Sequence, residues 1–160
     1  MNSERRTLSV LMVCLGNICR SPLAEAALRE AAQRAGIDMH IDSAGTGDWH
    51  IGHPPDPRAI AVAQRLGGLD IEKLRARQVS AQDFERFDHI IAMDEANLRD
   101  LHMMRPPNSM ASLSLLLDYL PGHEGKSVAD PYYGEAADFE TTWAQVSAAS
   151  EAFLATLIGD

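Results

Sequence analysis

Cysteine is nearly missing from this chain: Cys14 and Cys19 are its two thiols in 160 residues. Two cysteines in one short segment cannot make a disulfide framework, and a chain of this length buries enough surface to fold without one. Reduced thiols in a cytoplasmic setting are the expectation. Basic residues are also scarce, 14 Lys and Arg against 23 Asp and Glu, for a net charge of −9. A nucleic-acid binder must neutralise phosphates with a basic surface, so nucleic acid is excluded as a partner. Any anion site in so acidic a chain has to be local, built from backbone amides and a few arginines. No apolar run is long enough for a membrane span. Leu8 to Leu15, behind Glu4-Arg5-Arg6, imitates a secretory leader. That run is short, interrupted by Ser9 and without a small-residue cleavage site, and Val13 is too large to precede a lipoprotein cysteine. Repeats, low-complexity tracts and linkers are absent too. With 46% hydrophobic and 23% charged residues, residues 1–160 read as a single globular domain.

What is present alternates strand and helix. Leu8 to Cys14 is a continuous apolar run of the kind a strand buried on both faces carries. Ser21-Pro22 opens a helix over Leu23 to Ala35, closed by Gly36, with serine suited to capping, proline to the first turn and Glu25 to the positive end of the dipole. Ile37 to Ser43 reads as a second strand, followed by the turn Ala44-Gly45-Thr46-Gly47. Pro54-Pro55-Asp56-Pro57 introduces a helix through about Leu66. His89 to Met93 is a third strand, Asp94 leads into a helix from Glu95 to Met103, and Pro106-Pro107 breaks it. Leu113 to Leu117 is a candidate fourth strand, Lys126 to Gly134 has turn composition, and a last helix runs from about Glu135 to Leu157. Trp143 follows the core-facing spacing of that helix with Phe139, Val146, Phe153 and Leu157. Such alternation predicts a parallel α/β sheet with right-handed crossovers.

The chemistry concentrates in Cys14-Leu15-Gly16-Asn17-Ile18-Cys19-Arg20-Ser21-Pro22. The segment falls between a predicted strand and helix, at the carboxyl end of the strand, where open α/β sheets bind ligands. There the loop presents unpaired N–H groups and the positive end of a helix dipole, which together attract a dianion. Gly16 and Asn17 tolerate the left-handed backbone that a tight wrap needs. Five residues between Cys14 and Arg20 let the loop curl around a tetrahedral group, with the guanidinium gripping two oxygens side by side. Amides, dipole and arginine all favour the thiolate of Cys14, the nucleophilic form, and the Ser21 hydroxyl is placed to donate to it. The bland alternative is a buried strand cysteine acting as a small hydrophobe; the strand–turn–helix setting argues against it.

This loop, C-x5-R followed by Ser-Pro, resembles that of the low-molecular-weight protein tyrosine phosphatases. The likeness continues through Asp42-Ser43-Ala44-Gly45-Thr46, Pro54-Pro55-Asp56-Pro57-Arg58-Ala59, Met93-Asp94-Glu95-Ala96-Asn97-Leu98 and Asp130-Pro131-Tyr132-Tyr133-Gly134. The resemblance implies a four-stranded parallel sheet with helices on both faces, and phosphotyrosine hydrolysis through a phosphocysteine without metal or organic cofactor. It implies that Cys14 is the nucleophile, Arg20 the phosphate clamp and Asp130 the general acid. A proton donor suits tyrosinate, a poor leaving group whose phenol titrates near ~10. The segment Leu15, Gly16, Asn17, Ile18, Cys19, Arg20 would bind phosphate. Asn17, Ser21, Ser43 and Asp94 would support it, though Asn17 reads equally as a turn residue, Ser43 as a strand-end serine and Asp94 as a helix cap. Trp49, Tyr132 and Tyr133 would wall a slot that favours a phenyl ring over the short stem of phosphoserine, with Leu15 and Ile18 as apolar floor. Cys14 and Cys19 would also form a redox pair. Expected ligands are phosphotyrosine-containing proteins or peptides, inorganic phosphate and oxyanion inhibitors.

One departure is Leu74, where well-known members carry a histidine; its absence implies a lost contact with Asp94. None of His40, His50, His53, His89, His102 and His123 has metal-ligand spacing with both cysteines. Thioredoxin-coupled arsenate reductases share the loop but relay a disulfide through cysteines further on, and none follows Cys19. Phosphoarginine phosphatases carry threonine at the position of Ile18 and lack the Tyr132-Tyr133 pair. A silent phosphotyrosine-binding module would be expected to have lost Cys14 or Asp130.

Overall fold

The computed structural model describes residues 7–158; the Glu4-Arg5-Arg6 stretch of the leader-like segment lies outside them. Four parallel strands, β1 (Leu8–Cys14), β2 (Met39–Gly45), β3 (His89–Ala92) and β4 (Ser112–Leu115), form one sheet in the order β2-β1-β3-β4. The helices are α1 (Arg20–Ala35), α2 (Pro57–Gly67), α3 (Asp83–Arg86), α4 (Glu95–Met104) and α5 (Ala136–Ile158), with a 3-10 turn at Leu116–Tyr119.

β1 is central, and Val10, Leu11, Met12 and Val13 are wholly buried. Strand pleating sends alternate side chains to opposite faces. Val10 and Met12 join Leu23 and Leu28 of α1, Val62 of α2, and Phe139, Val146 and Phe153 of α5. Leu11 and Val13 join Phe84 of α3 and Leu101 of α4 on the other face. Helices therefore cover both faces, which is why β1 and β3 carry runs of apolar residues rather than an alternation. Trp143 is half-buried against the first of these clusters. The chain crosses to one side of β1 for β2 and to the other for β3, so the carboxyl end of β1 is a topological switch point.

Several boundaries differ from expectation for local reasons. β2 begins at Met39, not Ile37, because the Ile37 amide donates to the Ala32 carbonyl in the left-handed close of α1 at Gly36. It runs on to Gly45 because Gly45 is the register partner of Cys14. α1 starts at Arg20 with Cys19 at its cap, and Ser21 makes no capping bond. β4 stops at Leu115, whose amide donates to Asp118 Oδ2 and opens the 3-10 turn. The four residues of α3 are too short to show a period and were not anticipated.

Candidate active site

The loop from Cys14 to Arg20 leaves the carboxyl end of β1 and runs directly into α1. Cys14 Sγ accepts from the Asn17 amide at 3.3 Å and lies 3.0 Å from Ser21 Oγ. Asn17 alone takes the left-handed backbone, φ 58°; Gly16 does not, and its missing side chain instead makes room for His50, whose Cδ2 would stand 3.0 Å from a Cβ there. At Gly45 a Cβ would lie 2.6 Å from the Leu15 carbonyl oxygen. The end of β2 can therefore press against the loop only without a side chain.

A buried polar chain holds the loop from behind. Asn17 Oδ1 accepts from the Arg77 amide at 3.0 Å, which settles the orientation of its side-chain amide. Nδ2 then donates to Ser21 Oγ at 2.8 Å and to Ser43 Oγ at 3.0 Å. The Ser43 hydroxyl donates in turn to Glu25 Oε1 at 2.6 Å. Either sulfur or hydroxyl can donate in the Ser21–Cys14 bond; with Cys14 as thiolate, which only accepts, the Ser21 hydroxyl proton points at Sγ. Asn17, Ser21 and Ser43 are thereby joined in one hydrogen-bonded chain behind the loop. Glu25, read from sequence only as a dipole partner, is the buried terminus of the chain. Arg29 Nη2 joins its Oε2 at 2.6 Å. Burial pushes the Glu25 carboxyl up, against the opposing pull of the Ser43 and Arg29 hydrogen bonds.

Arg20 is buried. Its Nη1 donates to Asp94 Oδ2 at 2.8 Å and to the Val128 carbonyl at 3.2 Å. Burial opposes its charge, but the Cys14 sulfur, Asp94 and Asp130 outweigh that and hold the guanidinium protonated beyond its usual range. Asp94 is both things proposed for it, since its Oδ1 also caps α4 by accepting from the Asn97 amide at 2.7 Å. Asp130 Oδ2 lies 3.6 Å from Arg20 Nη2.

A cavity of about 400 Å³ opens over this loop, lined by Cys14, Leu15, Gly16, Ile18, Cys19, Arg20, Trp49, His50, Asp130, Tyr132 and Tyr133. Cys14 is 3% exposed, whereas Trp49 is 67% and Tyr133 95% exposed, so the sulfur sits deep and the aromatics form the mouth. Trp49 lies over Gly47, where a Cβ would meet its Cζ3 at 2.0 Å. The Tyr132 and Tyr133 rings meet edge to face at 4.8 Å. Ile18 is buried as expected for a floor residue, but Leu15 is 44% exposed and belongs to the rim. His50 also lines this cavity, and its place beside Trp49 in the same glycine-rich loop is the sequence signal for that position.

The profile of the family described as low molecular weight phosphotyrosine protein phosphatase matches residues 9–160. The chain belongs to that family. A low molecular weight phosphotyrosine protein phosphatase of Schizosaccharomyces pombe is 42% identical over 95% of this chain and 98% of its own. The crystal structure of YfkJ from Bacillus subtilis superposes with a TM-score of 0.89 at 40% identity, covering 98% of each chain. That of a Drosophila arginine phosphatase gives 0.88 at 34% identity, covering 94% and 98%. This low-molecular-weight phosphatase is therefore a protein-tyrosine-phosphatase by family, with the expected four-stranded parallel sheet and helices on both faces.

Leu74 lines a small cavity with Asn17, Glu25, Asp42 and Ser43, a group without Asp94. Asp94 keeps Arg20 and Asn97 as its hydrogen-bond partners. Cys19 is buried, and burial, then the nearby Asp56, Cys14 and Asp130, push its thiol well above the ordinary range. Among the described residues no group of three His, Cys, Asp or Glu could hold a metal ion, and no helix is long and apolar enough to cross a membrane.

Proposed function

We propose that the chain, working as a single domain over residues 1–160, hydrolyses phosphotyrosine in proteins or peptides through a phosphocysteine on Cys14. The observation that carries the reading is the convergence on one cavity of a deep sulfur with two donors aimed at it, a buried guanidinium and an Asp carboxyl at the cradle's edge. Loop amides and the Arg20 Nε and Nη2 edge hold the phosphate oxygens, because Nη1 is already engaged by Asp94 and Val128. The Cys14 thiolate attacks phosphorus, the bond to the tyrosine oxygen breaks, and Asp130 delivers its proton to the departing phenolate. Asp130, now a carboxylate, takes a proton from water as the water oxygen displaces sulfur, releasing phosphate and restoring the thiolate. The scheme calls for no metal or organic cofactor. A reduced nucleophile fits a cytoplasmic setting.

The aromatic mouth supports aryl over alkyl phosphates. Peptides bearing phosphotyrosine, phosphoserine or phosphoarginine are to be compared side by side without added metal. Phosphotyrosine is expected to be cleaved far faster than the other two. Comparable rates on phosphoserine would overturn the reading of the aromatic walls. Preference for phosphoarginine would move the enzyme to the chemistry named for its Drosophila neighbour, against Ile18 and the tyrosine pair. Trapping of a phosphoenzyme that disappears in Cys14→Ser tests the intermediate.

A further inference from the structure

Arg58 stands outside the cavity, yet its guanidinium joins two loops that have to cooperate. One edge grips Asp56, Nε donating to Oδ1 at 3.0 Å and Nη2 to Oδ2 at 2.9 Å. The other edge turns to the loop that carries Asp130, Nη2 donating to the Tyr132 carbonyl at 2.9 Å and Nη1 to the Gly134 carbonyl at 3.0 Å. Its plane rests on Phe139 of α5, with Cζ 4.5 Å from the ring centroid. Asp56 caps α2 through the Arg58 amide, and its own amide donates to the Ile18 carbonyl of the phosphate loop at 2.8 Å. An unbroken path therefore runs from Ile18 through Asp56 and Arg58 to residues 132 and 134.

The loop needs such a tie. Upstream it is anchored at Ala129, whose amide donates to Gln145 at 3.0 Å and whose carbonyl accepts from Thr142 at 3.1 Å. Among the described residues, the hydrogen bonds that join the main chain of 130–134 to another segment are the two from Arg58. Arg34 and Arg65 bond to carboxylates alone, and Arg75 and Arg105 donate to carbonyls of their own neighbourhood, whereas the carbonyl partners of Arg58 belong to a segment distant in the chain. Two of the four side-chain hydrogen bonds of Arg58 go to the carbonyls of one irregular segment, a task for a planar fork that an ammonium cannot copy.

We propose that Arg58 is a positioning residue for the proton-transfer step: it holds the 130–134 loop against the phosphate loop so that the Asp130 carboxyl reaches the leaving oxygen of a substrate seated over Cys14. The proposal rests on the reading of Asp130 as general acid. It also gives Tyr132, bonded through its carbonyl, a fixed place on the cavity wall.

The test compares phenyl phosphate, whose leaving group needs a proton, with an aryl phosphate carrying strong electron-withdrawing groups, whose leaving group does not. Asp130→Ala is the reference. Arg58→Met and Arg58→Lys are expected to lower kcat/KM for phenyl phosphate by about tenfold to a hundredfold, the scale of a misplaced catalytic group, and to lower it much less for the activated ester. Inhibition by inorganic phosphate should keep its constant, since the cradle is untouched. In the double variant Arg58→Met with Asp130→Ala, the Arg58 change should add little to the loss from Asp130 alone, because both remove one step. Thermal unfolding confirms the fold, and Arg58→Lys, which keeps charge and stem, stands in should Arg58→Met not fold. Equal losses on both substrates, or full additivity with Asp130→Ala, overturn the proposal. If Asp130→Ala is itself indifferent to the leaving group, the general-acid reading fails and this one with it. If Asp130→Ala is selective and the Arg58 variants are not, the positioning role alone is wrong.

Discussion

At the scale of single residues, Arg20 and Cys19 make the sharpest demands. Arg20 is held by two acceptors on one nitrogen, so the rest of its planar fork is aimed rather than free to swing. Lysine would keep a charge but neither the pair of contacts behind nor the pair in front. Arg20→Lys is expected to lose ~10²–10³ in kcat/KM, about the effect of removing one donor from an oxyanion site; steady-state kinetics on phenyl phosphate measures it, and near-normal turnover would show that charge alone suffices. Cys19 lines the same cavity as Cys14 and is kept as a thiol by burial. We expect peroxide to convert Cys14 to a sulfenic acid that Cys19 captures as a disulfide with loss of water, shielding Cys14 from higher oxidation. Wild type should regain activity with reductant, and Cys19→Ser should recover less after the same exposure. Equal recovery would remove the resolving role.

At the scale of elements, β1, β2 and α1 each contribute to the network behind the Cys14–Arg20 loop. Glu25 enters from the second turn of α1 and is its costly member, a carboxyl taken out of water. Its folded-state titration lies above that of an unfolded chain, near ~4.3. The folded state therefore holds the Glu25 proton more tightly. That contribution to stability is complete below the unfolded value and is lost as pH rises through the folded one. Glu25→Gln keeps an acceptor for Ser43 and has nothing to titrate. In urea unfolding at a series of pH values, the stability of Glu25→Gln relative to wild type should rise with pH across that window and then level off. A constant difference would mean that the Arg29 and Ser43 bonds cancel the burial penalty. The elements themselves were largely legible, since β1, α1, β3 and α5 carry apolar patterns that packing preserved. Misplaced ends trace to single bonds: Ile37 to Ala32 delays β2, and Leu115 to Asp118 cuts β4 short. Ser21 has cap chemistry but is used on Cys14 instead, a choice invisible until β2 brings Ser43 beside Asn17.

At the scale of the whole molecule, the proposed dianion site of this acidic chain lies at the switch point of its sheet. Phosphate or vanadate should therefore bind the folded state alone and stabilise it, by about 2.7 kcal/mol at a hundred times the dissociation constant. For a domain of this size that raises Tm by several degrees, readable by calorimetry, and Arg20→Lys should shrink the shift. An unchanged Tm at saturating phosphate would deny the cradle its ligand. The loop from Cys14 to Arg20 was legible in the sequence itself, because it is one contiguous turn whose backbone geometry follows from a strand, an Asn and a helix start. What the tertiary structure decided is everything joined across distance: Leu74 and Glu25 lining one small cavity, His50 on the wall of the larger one, Glu25 at the end of the buried chain, and Arg58 between two loops. A hydrogen bond acts over about 3 Å of space, and nothing in the order of residues along the chain states which distant donors and acceptors the packing of sheet against helices will bring within that reach.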